Sequence, residues 1–285
     1  MKRPRIIDSH QHFWRIGRPE QLWPDADWPL LHRDFLPGDL RTAIEGLDVV
    51  GTVLVQSQPD DRDTDWLLDL AAADSLILGV VGWVALEDKR APARIAQLAA
   101  WPKFVGLRPM LQAIDDNDWI LRDDLAPAIE AMLAHGLRFD ALVQPRHLPA
   151  LVCFAERWPD LPIVIDHGAK PHAADMTLDP WRDQLAMLAR HPNIWCKLSG
   201  LRTEQAQGQS ADALAPYIAH ILSSFGDRTM WGSDWPVLLH MEDRYIDWVD
   251  DALRLAGDLD APMRARLFEG AARAFYGLAA QEGHK

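Results

Sequence analysis

Cysteine is almost missing from this 285-residue chain: only Cys153 and Cys196 are present, neither in a CxxC pair, which excludes a disulfide framework and a cysteine-rich metal site. No apolar run approaches the roughly 20 residues a membrane-spanning helix needs. Positive charge is scarce, with 29 Lys and Arg against 42 Asp and Glu and a net charge of −13, so no basic face offsets nucleic-acid phosphates. Strand-like sequence begins by Ile6, so no leader segment is expected. The expected compartment is therefore the cytoplasm. Gly/Ser-rich linkers and low-complexity tracts are absent, and no glycine-rich phosphate loop follows the first strand, which argues against an open doubly wound sheet. Tyrosine is also sparse, at three residues, whereas tryptophan reaches 13.

What is present alternates. Short β-rich runs occur at residues 5–12, 49–56, 77–86, 104–109, 137–144, 162–167, 193–199 and 228–234. Helical patterns lie between them, at 64–75, 93–100, 124–135 and 181–190, with stops such as Pro102, Gly136, Pro159 and Pro192. The run Val49-Val50-Gly51-Thr52-Val53-Leu54-Val55 is continuously apolar, as a sheet covered by helices requires. Eight strand–helix repeats without a linker predict an α/β fold, one (β/α)8 barrel domain over residues 1–285, with a long first βα loop at 13–37. Patterns at 243–256 and 262–278 would close the ring and add a terminal helix.

A barrel places its chemistry at the carboxyl ends of the strands. His10 and His12 stand there on strand one, where alternation would project them together with Asp8. Gln56 ends strand two. Arg108 and Gln112 follow strand four, and Gln144 ends strand five. His167, Lys170 and His172 follow strand six; Lys197 and Ser199 end strand seven; Asp234 ends strand eight. Two converging imidazoles can bind a metal, orient a carbonyl or shuttle protons. Each of these side chains alone also has a structural reading, and it is their gathering at one rim that points to a site. Indole faces pack on the C–H face of a sugar while amides bond its hydroxyls, so Trp14, Trp23 and Trp28 of the first loop, with Gln56, Gln112 and Gln144, predict a pocket for a neutral polyol ring.

The HxH of strand one, Ile163-Val164-Ile165-Asp166-His167, and Trp231-Gly232-Ser233-Asp234-Trp235-Pro236 together resemble the amidohydrolase superfamily, and within it the amidohydrolase-2 lactonases, which include sugar-lactone hydrolases and 2-pyrone-4,6-dicarboxylate lactonase. The resemblance covers essentially the whole chain. It implies that His10, His12, His167 and Asp234 form the reaction center. It also implies a sugar lactone as the small-molecule partner, of the L-fucono- or L-rhamnono-lactone type. The chain departs from two-metal members: strand four offers Arg108 and strand five no histidine, so a binuclear center is not expected. His10, His12 and Asp234, with His167 as alternate ligand, can hold a single zinc. A metal-independent site is equally open, since Arg108 and Lys197 bring positive charge to the mouth.

Lactone hydrolysis needs a base to activate water and a positive group facing the carbonyl oxygen. Asp234 is the expected base, with Arg108, His10, His12 and His167 as candidates to polarise the carbonyl. Gln56, Gln112, Gln144, Lys197, Trp14, Trp28 and His172 are the expected substrate-binding groups. Two rival functions share these features: a zinc-dependent decarboxylase of the same superfamily, and a non-catalytic sugar-binding barrel. Homo-oligomerisation stays open.

Overall fold

The computed structural model describes residues 3–279. Eight parallel strands follow one another around a single sheet in chain order. They are β1 (Ile6–Gln11), β2 (Val49–Val55), β3 (Ile77–Gly82), β4 (Phe104–Leu107), β5 (Arg138–Ala141), β6 (Ile163–Ile165), β7 (Ile194–Leu198) and β8 (Thr229–Trp231). The ring closes between β8 and β1, where Asp234 N donates to His10 O at 2.8 Å and His12 N to Trp235 O at 2.8 Å. Gly232 permits this approach, because a Cβ there would lie 2.9 Å from the Cβ of His10. The expected (β/α)8 barrel is therefore the fold.

The helices are α1 (Pro37–Ala43), α2 (Asp61–Ala73), α3 (Ala91–Ala99), α4 (Ala126–Ala134), α5 (Leu148–Arg157), α6 (Trp181–Leu188), α7 (Ala215–Phe225) and α8 (Tyr245–Leu255). Local chemistry sets their ends. Asp60 caps α2 by accepting from Arg62 N, and proline occupies the first turn of α1, α3, α4, α5 and α7, where no backbone donor is lost. Each strand stops short of the sequence estimate at its carboxyl end. The polar residues read as strand ends mostly lie one to three positions beyond, on the loops of the mouth.

The segment 262–278 is not one helix. It divides into α9 (Ala261–Ala265), a π-helical turn (Arg266–Gly270) and α10 (Ala271–Tyr276). Nor does it simply join the outer ring. Phe275 and Tyr276 of α10 pack in one cluster with Ile7 of β1, Val53 and Val55 of β2, Val81 of β3, Val164 of β6 and Met230 of β8. Arg138, the first residue of β5, donates from Nε to Phe275 O at 2.7 Å. Thus α10 plugs the amino-terminal floor of the barrel, while the remaining strand faces join the helices in the main core.

Candidate active site

Pure alternation along β1 would aim Asp8, His10 and His12 alike. The structure departs from it: the β1–β2 register is irregular between Asp8 and Gln11, and this separates Asp8 from the histidines. Asp8 accepts from Ser233 Oγ at 2.6 Å, Ser233 N at 2.8 Å and Tyr245 Oη of α8 at 3.0 Å, which ties β1 to the loop carrying Asp234. His10 and His12 turn into the mouth, with their Nε2 atoms 3.2 Å apart. Asp234 Oδ1 lies 3.3 Å from His12 Nε2, 3.8 Å from His10 Nε2 and 3.9 Å from His167 Nε2. The expected quartet therefore converges.

His167 and Asp234 are held by unusual backbone. Asp234 has φ +58°, and residues 167–170 form a left-handed turn with φ of 54°, 56°, 64° and 50°. Trp181 Nε1 pins that turn by donating to Gly168 O at 2.7 Å, and Ser199 Oγ sits 2.9 Å from His167 Nδ1. Gly200 makes room for the ring, since a Cβ there would fall 2.3 Å from His167 Nδ1.

Beneath His10 lies a buried charge network. Lys197 Nζ is 2.5 Å from Asp140 Oδ2, 3.0 Å from Asp166 Oδ1 and 3.1 Å from His10 Nδ1. Arg108 Nη1 is 3.3 Å from His10 Nε2 and 3.6 Å from Asp166 Oδ2, and its Nη2 donates to Gln56 O. Tyr276 Oη, rising from the barrel floor, donates to Asp140 at 2.7 Å. The positive charge that would oppose a cation at the mouth is therefore matched by Asp140 and Asp166. Sequence reasoning missed both of these roles: Asp140 lies within β5 and Asp166 directly follows β6, and the cation each meets is distant in sequence.

Burial pushes all three imidazoles toward neutrality. His10 titrates well below the usual range because of burial and the charges of Lys197 and Arg108. His167 does so through burial, against the pull of Asp234. His12 is lowered by burial despite its hydrogen bond to Asp234. Burial draws the Asp234 carboxyl upward, but His167 and the His12 hydrogen bond outweigh it and hold the group below its ordinary value. Asp234 is thus ionised at neutral pH. Desolvation raises Asp140 to about 6 despite Lys197.

These tautomers bear on a metal. His12 Nδ1 lies 2.8 Å from Val55 O, which can only accept, so the proton sits on Nδ1 and Nε2 keeps its lone pair. With the His10 proton on Nδ1, toward Asp166 Oδ1 at 3.4 Å, two imidazole lone pairs and Asp234 Oδ1 converge on one point. Such a set is mutually repulsive without a positive center and fits a divalent cation. With the proton on Nε2, Lys197 donates to Nδ1 and Nε2–H can donate to His12. His10, His12 and Asp234 form a metal-capable site, their ligand atoms all within 4.8 Å of one another.

Above them opens a cavity of about 460 Å³ lined by His12, Arg108, His167 and Asp234, with Trp23, Trp28, Gln112, Lys170, Glu204 and His240 among its walls. His10 and Lys197 lie under it, fully buried. Four other expected residues stand away from it. Gln56 is a buried spacer whose Nε2 donates to Arg108 O at 2.8 Å. Gln144 accepts from Arg146 Nε at 3.0 Å outside the mouth. Trp14 is 1% exposed and bonds Arg33 O at 2.9 Å, standing behind Trp23. His172 is exposed and lines a separate groove beside Trp181, because the left-handed turn redirects the chain after Lys170. Glu204 and His240, each in a short helical turn beyond its strand end and outside any motif, carried no sequence signal.

The chain belongs to the amidohydrolase family, whose model (Amidohydro_2) matches residues 7–278. It is 47% identical over 276 residues to an L-fucono-1,5-lactonase of Burkholderia ambifaria, covering 95% of this chain and 94% of that protein. An L-fucono-1,5-lactonase of Burkholderia multivorans is 36% identical, with 95% and 96% covered. The crystal structure of an amidohydrolase from B. multivorans with bound zinc superposes with a TM-score of 0.90 at 33% identity, over 96% of this chain and 99% of that one.

Proposed function

We propose that this protein hydrolyses a sugar-acid lactone, an aldonolactone of the L-fucono-1,5-lactone type, to the open sugar acid. The observation that carries the reading is one sugar-sized cavity lined by both the Asp234 carboxyl group and the Arg108 guanidinium. Similarity to the two L-fucono-1,5-lactonases supports it.

In this scheme Asp234 takes a proton from water, whose oxygen adds to the lactone carbonyl carbon. Arg108 faces the carbonyl oxygen as it becomes negative. His12 and His167 fix the carboxylate from two sides, and Asp166 anchors Arg108. As the tetrahedral adduct collapses, the bond from the carbonyl carbon to the ring oxygen breaks. The proton held by Asp234 passes to the departing alkoxide, which leaves a hydroxy acid. Trp23 and Trp28 offer faces for the ring. His10, His12 and Asp234, or His167 in place of one of them, would hold a divalent cation, zinc being the ion suited to this donor set, and when bound it supplies Lewis acidity and lowers the pKa of water.

A pH-indicator assay over a panel of aldonolactones tests the function, because each turnover releases an acid. Rapid turnover of at least one 1,5-lactone is expected. A flat panel, with and without added zinc, would overturn the reading.

A further inference from the structure

Three non-glycine residues, His167, Ala169 and Lys170, occupy left-handed backbone within four positions. Each is disfavoured by the clash of its Cβ with the following carbonyl, and such residues rarely occur in series. What the strained turn achieves is visible in the cavity: both of its functional side chains, His167 and Lys170, line the same space. There Lys170 Nζ donates to Glu204 Oε1 at 2.7 Å, and the two side chains remain 17% and 21% exposed. Among the described residues this is the one hydrogen bond either head group makes. Two ammonium donors and one carboxylate oxygen therefore stay open toward the cavity.

We infer that Lys170 and Glu204 form a clamp for a pair of adjacent ring hydroxyls and set the preference of the site for polyhydroxy lactones. A hydroxyl both donates and accepts, so one diol can donate to the free oxygen of Glu204 while accepting from Lys170. Charged hydrogen-bond partners of this kind are the stronger ones, and a site built around them penalises a ring without hydroxyls. The clamp belongs to the loops after β6 and β7, whereas Trp23 and Trp28 belong to the loop after β1. Hydroxyl recognition and ring stacking are thus supplied by different parts of the mouth. This assignment rests on the lactonase reading for the identity of the ring, but not for the existence of the clamp.

The test compares kcat/KM for the best aldonolactone of the panel with that for δ-valerolactone, the same six-membered ring without hydroxyls. Glu204→Gln and Lys170→Met should each reduce the ratio of the two values by about 10- to 100-fold. Glu204 has no left-handed backbone, so its variant tests the clamp free of the strain at Lys170. A ratio within threefold of the starting protein, or equal losses on both rings, would overturn the clamp. L-Fuconate and D-gluconate binding, followed by calorimetry, provides a readout without turnover. Tenfold weaker binding of either acid in Glu204→Gln supports the clamp even if no lactone is hydrolysed, an outcome that would remove the lactonase reading alone. Unchanged binding, or no uptake of either acid by the starting protein, removes the clamp.

Discussion

His10 has a cation within 3.3 Å of each ring nitrogen, Lys197 at Nδ1 and Arg108 at Nε2. Neither cation can accept a hydrogen bond, so a neutral His10 satisfies one and must turn its N–H toward Asp166 or His12. Asp166 is therefore as consequential as the histidines: it is fully buried and is the shared counter-ion of Lys197 and Arg108. Asp166→Asn should destabilise the fold by about 3–5 kcal/mol, the usual penalty for leaving a buried charge without its partner. Urea unfolding measures this, and an unchanged midpoint would mean that Asp140 alone suffices. Asp234→Asn is nearly isosteric and should instead leave stability near its starting value while lowering kcat by about 10²-fold or more. Retention of half the activity would remove Asp234 from the role of base. At this scale His10, His12, Arg108, His167 and Asp234 were readable because polar residues at strand ends stand out against apolar runs. Gln56 and Gln144 were equally visible, yet alternation and strand ends do not tell which polar side chain enters a cavity and which supports its neighbours.

At the scale of elements, all eight strands were legible as β-rich runs, but their ends were not. Hydrogen bonding ceases where the chain turns out to form the mouth, one to four residues before the ends read from the β-rich runs. The left-handed turn at 167–170 carries a single glycine, so nothing local announces it; Trp181 and Ile221, packed around Gly168, hold it in place. The first loop shows the same division. Its length indicated function, and its three tryptophans appeared equivalent, but Trp14 props Trp23 from behind while Trp23 and Trp28 border the cavity. Sugar-acid binding should accordingly quench tryptophan emission in Trp14→Phe. The change should vanish when Trp23 and Trp28 are both replaced by Phe. A quench that survives the double replacement would place the ligand elsewhere.

For the molecule as a whole, the donor set bounds the metal content. One cation fits His10, His12 and Asp234, while Arg108, 3.3 Å from His10 Nε2, brings a positive charge that opposes a second. Elemental analysis of purified protein should give at most about one metal per chain. Considerable lactonase activity should survive chelation, because Arg108 remains to face the carbonyl oxygen. Two tightly held ions would overturn this site description. Complete, reversible loss on chelation would transfer the electrophilic role from Arg108 to the ion.

The floor plug has a consequence for how the chain acquires its shape during synthesis. Tyr276 reaches Asp140 across 136 positions of sequence, and the first strand pairs with the loop after the last. A ribosome adding roughly 5–20 residues per second holds this protein for many seconds with its lumen unsealed and β1 without its final neighbour. Through that interval Asp140 lacks its tyrosine donor, and Ile7, Val53 and Met230 lack the helix that covers them. The nascent barrel is thus open to aggregation and proteolysis until α10 has been made, and a helper that shields an unclosed sheet would act on it in that interval.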